Sequence, residues 1–506
     1  MNQALPWTPE NVRKAKRRLG VTAYRPGQEA LIDAVMQGRD ALGILPTGGG
    51  KSLCYQLPAL FLPHAVVVVS PLISLMKDQQ DKLEGRAIPV AKLDSTLSAR
   101  DERNTVDDIW EGEPELIYVT PERLEQEDSL AMLRRTGVSL MVVDEAHCVS
   151  QWGHDFRPAY LAIRRAVREI GRPPVLALTA TATPAVAADI LRQLDIPDAV
   201  VVNVGSYREN LMYEVRRTVN EAEKDERLME LLRGGPRDGP GLVYVATIRE
   251  AVALFGRLKQ AGVAAGLYHG KLSAKDRHRT QQAFMEDRYR LVVATKAFGL
   301  GIDKPNLRMV VHYSLPDSPE SYVQETGRAG RDGKPAWAVL LYRLEDRRVQ
   351  AYFLGGKYPR REDSAAAYRA LLRAGETEGK PAGMSLKELT AATGLPQNKV
   401  KVIAALLESS GLIERGRRLK PVRRFADDEE FVRYLTEYEG RYQSDRDRLD
   451  AMMKYGQTTE CRVRFLTRYF GHELPEDCGR CDNCRTGAAH RTVDVRELQT
   501  GTAIAV

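Results

Sequence analysis

The motif ILPTGGGKSLCYQ, residues 44–56, indicates what kind of domain the first two hundred residues form. It follows the phosphate-loop pattern G-x-x-x-x-G-K-[ST], except that the position six residues before Lys51 holds Leu45 instead of glycine. An apolar run at 42–45 precedes the loop and a helical pattern follows it, which is the context that such a loop requires. The phosphates are held by backbone N–H groups of residues 47–52 and by the Lys51 ammonium. The replacement of the first glycine by Leu45 should therefore weaken phosphate binding little. The stretch therefore predicts a nucleotide site.

Continuous apolar runs separated by helical patterns are typical of parallel strands in a doubly wound α/β domain. A first series of such runs lies at 42–45, 65–70, 116–120, 140–145 and 175–181. A second series lies at 241–246, 264–270, 289–295, 308–313 and 338–342. The sequence therefore predicts two tandem α/β units, and ligands in such sheets bind beyond the carboxyl ends of the strands.

A pair of carboxylates follows one of these predicted strands. Asp144 and Glu145 end the run LMVVDE, downstream of the glycine loop. Phosphoryl transfer needs one carboxylate to hold Mg²⁺ and a second to orient or deprotonate the attacking water. We expect Asp144 and Ser52 to hold Mg²⁺ and Glu145 to act on the water. Together the loop and the carboxylates predict a nucleotide site rather than an accidental glycine-rich turn.

The second series of strands has no glycine–lysine loop of its own. It ends in QETGRAGRDG, residues 324–333, which places Arg328 and Arg331 three positions apart. Such arginines could simply form salt bridges on a helix face. In an ATPase made of two such sheets, an arginine that reaches across the cleft to the γ-phosphate is the better interpretation. We expect Arg331 to be this arginine, Gln324 to belong to the catalytic set, and Arg328 to contact the nucleotide.

Six cysteines are too few for a disulfide framework in a chain of 506 residues. Four of them form a pattern in which one cysteine is followed by sixteen residues and then by C-x2-C-x2-C, which fits a tetrahedral zinc site with four thiolates. These four are Cys461, Cys478, Cys481 and Cys484. His472 could replace one ligand, but four cysteines make this the weaker interpretation. Cys54 and Cys148 lie on apolar flanks and are predicted to be buried free thiols.

The net charge of +7 is unevenly distributed along the chain. Residues 384–426 contain nine Lys or Arg against three Glu, an excess expected of a contact with the phosphate backbone, although a solvated basic face would look the same. A capping box at 385–388 opens one helix, and residues 397–409 predict a second helix with an apolar face. A basic hairpin follows. The segment predicts a winged helix that grips duplex DNA, with Arg417 and Arg418 as contacts.

These motifs resemble those of superfamily 2 helicases, and specifically of the RecQ family of DNA helicases. The resemblance covers about residues 8–350 motif by motif and resumes at the cysteines. YRPGQ resembles the adenine-recognising motif, and TATAT at 179–183 resembles the motif that couples the nucleotide to the second domain. With this resemblance, the expected nucleotide contacts are Arg25, Gln28, Thr47, Gly48, Gly49, Gly50, Lys51, Ser52, Asp303 and Arg328.

SQWGHDFRPAY, residues 150–160, resembles the aromatic-rich loop that distinguishes RecQ proteins from other superfamily 2 enzymes. Trp152 and Phe156 can stack on bases, and Arg157 can sense contact with the strand. Stacking on aromatic rings tolerates any base sequence, which a translocating motor requires. The alternative is a pair of core aromatics, but Gly153 and its polar neighbours make burial the weaker interpretation.

Two features depart from the family pattern. ATKAFGLGIDKP, residues 294–305, resembles motif V and carries Asp303, but it holds Lys296 where the family usually has an apolar residue. The winged-helix-like segment precedes the zinc cysteines, whereas in most RecQ proteins it follows them.

The sequence thus predicts an α/β protein of two tandem RecA-like P-loop NTPase domains, then a winged-helix-like segment and a helical zinc-binding module. The predicted limits are 1–205, 206–355, 356–428 and 429–488, with a tail at 489–506. The expected activity is ATP-dependent unwinding of duplex or branched DNA by translocation on single strands in recombination, repair or replication. The expected cofactors are ATP, Mg²⁺ and Zn²⁺, and the resemblance implies 3′-to-5′ polarity.

Two other functions share parts of this pattern. An RNA helicase would have the same two motor domains, and stimulation of ATP hydrolysis by DNA or by RNA would distinguish the two. A zinc- and winged-helix DNA-binding regulator with a vestigial ATPase is disfavoured because the whole catalytic set is present. The start of the chain has no apolar signal-peptide core and no apolar run is long enough for a membrane span, so we expect a cytoplasmic protein associated with the nucleoid.

Overall fold

The structure is a computed structural model. It describes residues 5–94, 97, 99–111, 115–150, 152–233, 238–298, 303–357, 361–375, 383–409, 412–415, 418–422 and 428–490. These residues form two parallel sheets, one two-stranded hairpin and the helices around them. In the described part of the chain, no helix combines the length and the apolar composition needed to cross a bilayer.

The first sheet contains seven parallel strands, which are β1 (Ala41–Ile44), β2 (Ala65–Val69), β3 (Val90–Leu93), β4 (Leu116–Val119), β5 (Val138–Val143), β6 (Val175–Thr179) and β7 (Val200–Asn203). Their order across the sheet is β3-β4-β2-β5-β6-β1-β7. Every residue of β2 is buried, as expected of an inner strand covered on both faces by helices. The apolar side chains of the two faces belong to two separate core clusters.

In the part of this domain that the structure describes, the α-helices around the sheet are α1 (Pro9–Arg18), α2 (Gln28–Met36), α3 (Leu53–Ala59), α4 (Ile73–Glu84), α5 (Ala99–Trp110), α6 (Glu127–Thr136), α7 (Ala162–Glu169) and α8 (Pro184–Leu194). The glycine loop leads from β1 into α3, and the carboxylates Asp144 and Glu145, which open the DEAH motif at residues 144–147, follow β5. In the sheet β1 and β5 are both neighbours of β6, so the two motifs lie close together at the carboxyl ends of these inner strands.

The second sheet contains six parallel strands, which are β8 (Leu211–Arg217), β9 (Gly241–Tyr244), β10 (Ala265–Tyr268), β11 (Leu291–Ala294), β12 (Met309–His312) and β13 (Ala336–Tyr342). Their order is β10-β11-β9-β12-β13-β8. The helices of this unit are α9 (Glu221–Leu232), α10 (Ile248–Gln260), α11 (Ala274–Met285) and α12 (Pro319–Thr326). Each sheet and its helices form one α/β domain, and the two domains are the predicted pair of RecA-like domains.

The winged-helix-like segment has a core of its own. After α13 (Asp346–Lys357), it consists of α14 (Arg361–Gly375), α15 (Leu386–Thr393), α16 (Gln397–Ser409) and the hairpin of β14 (Ile413–Arg415) and β15 (Leu419–Pro421). Both hydrogen bonds of the predicted capping box are present at Ser385 and Glu388. A backbone bridge between Met384 and Leu419 closes the hairpin onto the helices. The apolar face predicted on α16 is buried in this core.

The zinc-binding segment, in contrast, packs into the second motor domain. It consists of α17 (Asp428–Gln457), α18 (Arg462–Tyr469) and α19 (Asp482–Arg485). Apolar residues of α17 and α18, together with Cys461 and Cys481, belong to the same buried cluster as one face of the second sheet. Asp482 of α19 accepts a hydrogen bond from the Val215 N–H of β8 at 2.9 Å. The zinc module is therefore an extension of this domain's core.

Candidate active site and zinc centre

The glycine loop, residues 46–52, is the turn between β1 and α3. Gly48 and Gly50 both have φ of +78°, the left-handed region that favours glycine. Leu45, where the phosphate-loop pattern has its first glycine, is completely buried at the end of β1. That position therefore belongs to the core in this chain, and the phosphate-facing loop begins after it.

Arg25 and Gln28, the predicted adenine contacts, brace the glycine loop. The Gln28 side-chain amide donates to the carbonyl oxygens of Gly49 at 3.2 Å and Gly50 at 2.9 Å. Its own carbonyl oxygen accepts from the Arg25 N–H at 2.8 Å, and the Arg25 guanidinium donates to the Gly48 carbonyl. These two residues thus fix the backbone of the loop, and their contact with adenine stays a prediction.

A cleft of about 360 Å³ separates the two motor domains at this loop. Almost the whole predicted catalytic and nucleotide-binding set lines it, from both domains. The lining residues of that set are Arg25, Thr47, Gly48, Gly50, Lys51, Ser52, Asp144, Glu145, Asp303, Gln324, Arg328 and Arg331. The cleft thus brings together residues as far apart in the sequence as Arg25 and Arg331.

Asp144 and Glu145 follow β5 directly and face Lys51. Burial, together with the charge of Glu145, raises the pKa of Asp144 to about 7, although the Lys51 ammonium opposes this shift. Glu145 adopts the left-handed conformation with φ 48° and ψ 47°, which is unfavourable for a residue with a Cβ. One of its buried carboxylate oxygens makes no hydrogen bond among the described residues and lies 3.4 Å from His147 Nδ1. Crowded carboxylates of this kind fit a divalent cation, whose charge would relieve their repulsion.

Arg331 is held in the cleft by Asp303. Its guanidinium donates to one carboxylate oxygen of Asp303 at 2.6 Å, while Lys82 on α4 of the first domain contacts the other at 2.8 Å. Burial alone would raise the pKa of Asp303, but the Lys82 hydrogen bond and the Arg331 charge lower it to about 2. Asp303 is therefore ionised at neutral pH and links the two domains.

The end of α12 touches the glycine loop directly. A Cβ on Gly327 would lie 2.7 Å from the Cβ of Thr47, so only glycine permits this approach. Arg208 supports the turn, because its guanidinium donates to the carbonyl oxygens of Gly327 and Ala329, each at 2.9 Å. Sequence reasoning missed both Arg208 and Lys82, and neither belongs to a motif that could have identified it.

The aromatic loop is anchored on the DEAH motif. The His147 and His154 rings are stacked with centroids 4.4 Å apart, and His147 Nδ1 lies 2.9 Å from the Thr179 hydroxyl oxygen of the TATAT motif. A Cβ on Gly153 would lie 2.3 Å from the His147 carbonyl oxygen, so the loop can approach only because this residue is glycine. The same histidine therefore connects the carboxylates, the TATAT motif and the aromatic loop.

The three predicted DNA contacts of this loop differ in their exposure and in their partners within the protein. Trp152 is 41% exposed, as a base-stacking ring requires, and Phe156 is half-buried. Arg157 is engaged within the protein, since it pairs with Asp155 at 3.2 Å and donates to the Pro71 carbonyl oxygen at 3.3 Å. Trp152 is thus the residue of the loop most available to a nucleic-acid base.

The four predicted zinc ligands converge. Their sulfur atoms all lie within 4.8 Å of one another, with Cys481 Sγ and Cys484 Sγ 3.4 Å apart. Four sulfurs at about 2.3 Å from a tetrahedral zinc ion would be spaced by about 3.8 Å, which this cluster fits. The Cys478 N–H donates to Cys461 Sγ at 3.3 Å, a contact that stabilises a thiolate. His472 is not in the cluster, and Cys54 and Cys148 are buried thiols as predicted.

Comparisons with known proteins follow the same division of the chain. The sequence model of the DEAD/DEAH box helicases matches residues 25–190, and that of the helicase conserved C-terminal domain matches residues 223–333. The RecQ zinc-binding model matches residues 420–485. The "Probable ATP-dependent DNA helicase RecS" of Bacillus subtilis (strain 168) is 39% identical over 361 residues, which are 71% of this chain and 72% of RecS.

The chain belongs to the RecQ family of helicases. The ATP-dependent DNA helicase RecQ of Bacillus subtilis (strain 168) is 37% identical over 474 residues, 93% of this chain. That of Pasteurella multocida (strain Pm70) is 42% identical over 330 residues, 65% of this chain. The chain covers 66% and 51%, respectively, of the lengths of these two relatives. ATP, Mg²⁺ and Zn²⁺ are the cofactors of this family's motor and zinc module, and the residues described above fit all three.

Solved helicase structures share the fold at low sequence identity. The Mycobacterium smegmatis helicase Lhr bound to single-stranded DNA and AMP-PNP has a TM-score of 0.54 and 21% identity, covering 81% of this chain and 60% of Lhr. The helicase MrfA bound to DNA has a TM-score of 0.55 and 18% identity, covering 83% of this chain and 60% of MrfA. These two structures support the tandem motor fold of this RecQ-family chain.

Lys296, one of the two departures from the RecQ pattern, has polar partners in the structure. Lys296 contacts the Asp317 carboxylate and the Ser321 hydroxyl, so its charge is paired at the start of α12.

Arg418, a predicted duplex contact, donates to the Gly383 carbonyl oxygen and pairs with Glu388, each at 2.9 Å. Arg418 thus closes the hairpin onto α15. Arg417, the other predicted contact, lies outside the described residues.

Proposed function

We propose that this chain is an ATP-driven helicase that translocates on single-stranded DNA and separates duplex or branched DNA. The observation that carries the proposal is the interdomain cleft, in which Lys51 and Glu145 of the first domain face Gln324 and Arg331 of the second. A nucleotide bound there would contact both domains, so its hydrolysis can change how the domains sit on a strand.

The residues of the cleft have distinct proposed roles. The loop N–H groups and the Lys51 ammonium hold the β- and γ-phosphates, and Ser52 and Asp144 are the ligands of Mg²⁺, which supplies charge neutralisation when bound. Glu145 orients the attacking water. Arg331 stabilises the charge that develops on the γ-phosphate, and Gln324 lies beside it in the cleft.

DNA is the proposed polymer because the similar curated proteins are named DNA helicases and because Trp152 exposes a ring beside the DEAH motif. We propose 3′-to-5′ polarity from membership of the family, and action on chromosomal DNA in the cytoplasm. The proposed domain limits are those predicted from the sequence, with residues 429–488 joined to the second domain by a shared core.

The test compares ATP hydrolysis by the unaltered chain with no nucleic acid, with single-stranded DNA and with RNA of equal length. We expect stimulation by DNA, and displacement of a strand from a duplex with a 3′ tail but not from one with a 5′ tail. Lys51→Ala is the control, because it removes the phosphate-binding charge and should abolish turnover. Stronger stimulation by RNA, or nucleic-acid binding without any ATP turnover, would refute the proposal in favour of one of the two other functions.

A further inference from the structure

The aromatic loop is contacted by the zinc module as well as by the DEAH motif. The Arg448 guanidinium of α17 donates to the Trp152 carbonyl oxygen. The Trp152 ring lies on the same helix, because a Cβ added to Gly440 would be 3.3 Å from Trp152 Cη2. A residue of the zinc module thus holds the backbone of the one loop residue that presents an exposed ring.

Arg448 also reaches the helix that leads to the ATP cleft. Its side chain is only 9% exposed, and it pairs with Asp445 at 2.5 Å and with Glu320 at 3.4 Å. Glu320 is in the first turn of α12, accepts a hydrogen bond from the Tyr469 hydroxyl at 3.0 Å, and is 3% exposed. Gln324 is four residues further along α12, on the same face of the helix, and lines the cleft.

We propose that Arg448 is the positioning residue that couples the aromatic loop to the ATP cleft. One guanidinium bonds the loop and a carboxylate of α12 at the same time, so a displacement of the loop by a bound strand must move or break the contact with α12. Among the described residues that line the nucleotide cleft, Arg448 is not present. The inference rests on the proposed function, because it concerns stimulation of ATP hydrolysis by DNA.

The chemistry of arginine suits this role. Its planar fork directs several N–H groups at once, it stays charged when buried, and it can bond a carbonyl and a carboxylate together. A lysine at the same place would keep the charge but would bond from a single nitrogen atom. An arginine with a purely structural role would be expected to affect folding without changing the response to DNA.

The first experiment compares Arg448→Ala with Arg446→Ala, which removes an exposed arginine from the same helix. Hydrolysis of ATP is measured with and without a saturating oligo(dT) strand, and thermal unfolding is recorded for each protein. We expect Arg448→Ala to keep its basal rate and to lose stimulation by about fivefold or more, the lower range of measured coupling between sites. Arg446→Ala should behave as the unaltered chain.

Two further variants make the result decisive. Arg448→Lys should fold and show a partial loss of stimulation. If Trp152→Ala has already removed stimulation, adding Arg448→Ala to it should cause no further loss, because both act on one path. Normal stimulation in Arg448→Lys and Arg448→Ala, or an equal loss of basal and stimulated rates, would overturn the inference alone. No stimulation of the unaltered chain by any DNA strand would refute the proposed function and this inference with it.

Discussion

Replacing Asp482 with alanine should destabilise the second motor domain together with the zinc module. Asp482 accepts hydrogen bonds from Arg462 Nε at 3.0 Å and Nη2 at 3.1 Å, and from the Val215 N–H of β8 at 2.9 Å. The Arg462 side chain is 3% exposed and that of Asp482 is 16% exposed. The substitution would therefore leave a buried guanidinium without its carboxylate and an edge-strand N–H without an acceptor.

The expected loss follows from that geometry. Removing one partner of a buried ion pair costs about 3–5 kcal/mol, and 1 kcal/mol lowers Tm by about 2–4 °C in a domain of this size, so we expect a decrease of about 6–20 °C. Asp450→Ala is the matched control, since Asp450 of α17 pairs with Arg347 at 2.9 Å but both side chains are exposed, at 40% and 49%. An exposed pair contributes about 0–1 kcal/mol, which corresponds to less than about 4 °C.

The assay is differential scanning calorimetry of the full, zinc-loaded chain, with zinc content measured before each scan. Because the zinc module and the second sheet share one core, a single transition should move in Asp482→Ala, and chelation of zinc should move the same transition. The reasoning is wrong if the Asp482 variant melts no lower than the Asp450 variant. It is also wrong if the module melts separately while the second domain keeps its original Tm.

Three other predictions follow from the cleft and from the inserted segment. Glu145→Gln should bind ATP without hydrolysing it. Arg331→Ala should lose about a thousandfold or more in the rate of ATP hydrolysis while a fluorescent nucleotide still binds. Near-normal hydrolysis by the Arg331 variant would mean that this arginine is misassigned. Asp303→Asn should weaken the Lys82 link between the domains and increase the radius of gyration of the nucleotide-free chain in small-angle scattering, and an unchanged radius would count against that link. Replacing residues 361–422 by a flexible linker should leave single-strand-stimulated hydrolysis intact and weaken duplex binding and its salt dependence, whereas unchanged duplex affinity would show that the grip lies elsewhere.

The sequence predicted the inner strands of both sheets and the edge strand β10, and it missed three others. The missed strands are β3, β7 and β8, and all three are at the edges of their sheets. An edge strand is covered less completely, so its sequence need not be a continuous apolar run. β7 alternates between half-buried and exposed residues, and β8 carries Glu214 and Arg216 among its apolar residues. A continuous apolar run is therefore absent from β8, whereas β7 contains only the short run Val200–Val202.

The candidate site was predictable where chemistry confines residues to a local pattern. Three motifs of the site are each recognisable from a short segment of sequence. They are the glycine loop, the DEAH carboxylates and the cysteine spacing. The pairing partners were not predictable, since Lys82 and Asp303 are 221 positions apart and Arg448 and Trp152 are 296 apart. Arg418 stays a predicted DNA contact, and the basic hairpin on which that prediction rests gives no sign that Glu388 of the same segment pairs with this arginine.

The unusual order of the winged-helix-like segment and the zinc module has a physical explanation in how their cores are built. The segment between α13 and α17 buries its apolar residues in a cluster of its own, drawn from residues 365–419. The described residues of the zinc module form no separate cluster and share that of the second sheet, and the exposed Arg347–Asp450 pair links α13 to α17 at the surface. A unit with its own core can be inserted into a surface connection without disturbing the elements on either side. The zinc module can therefore pack on the second domain whether the winged helix comes before it or after it in the chain.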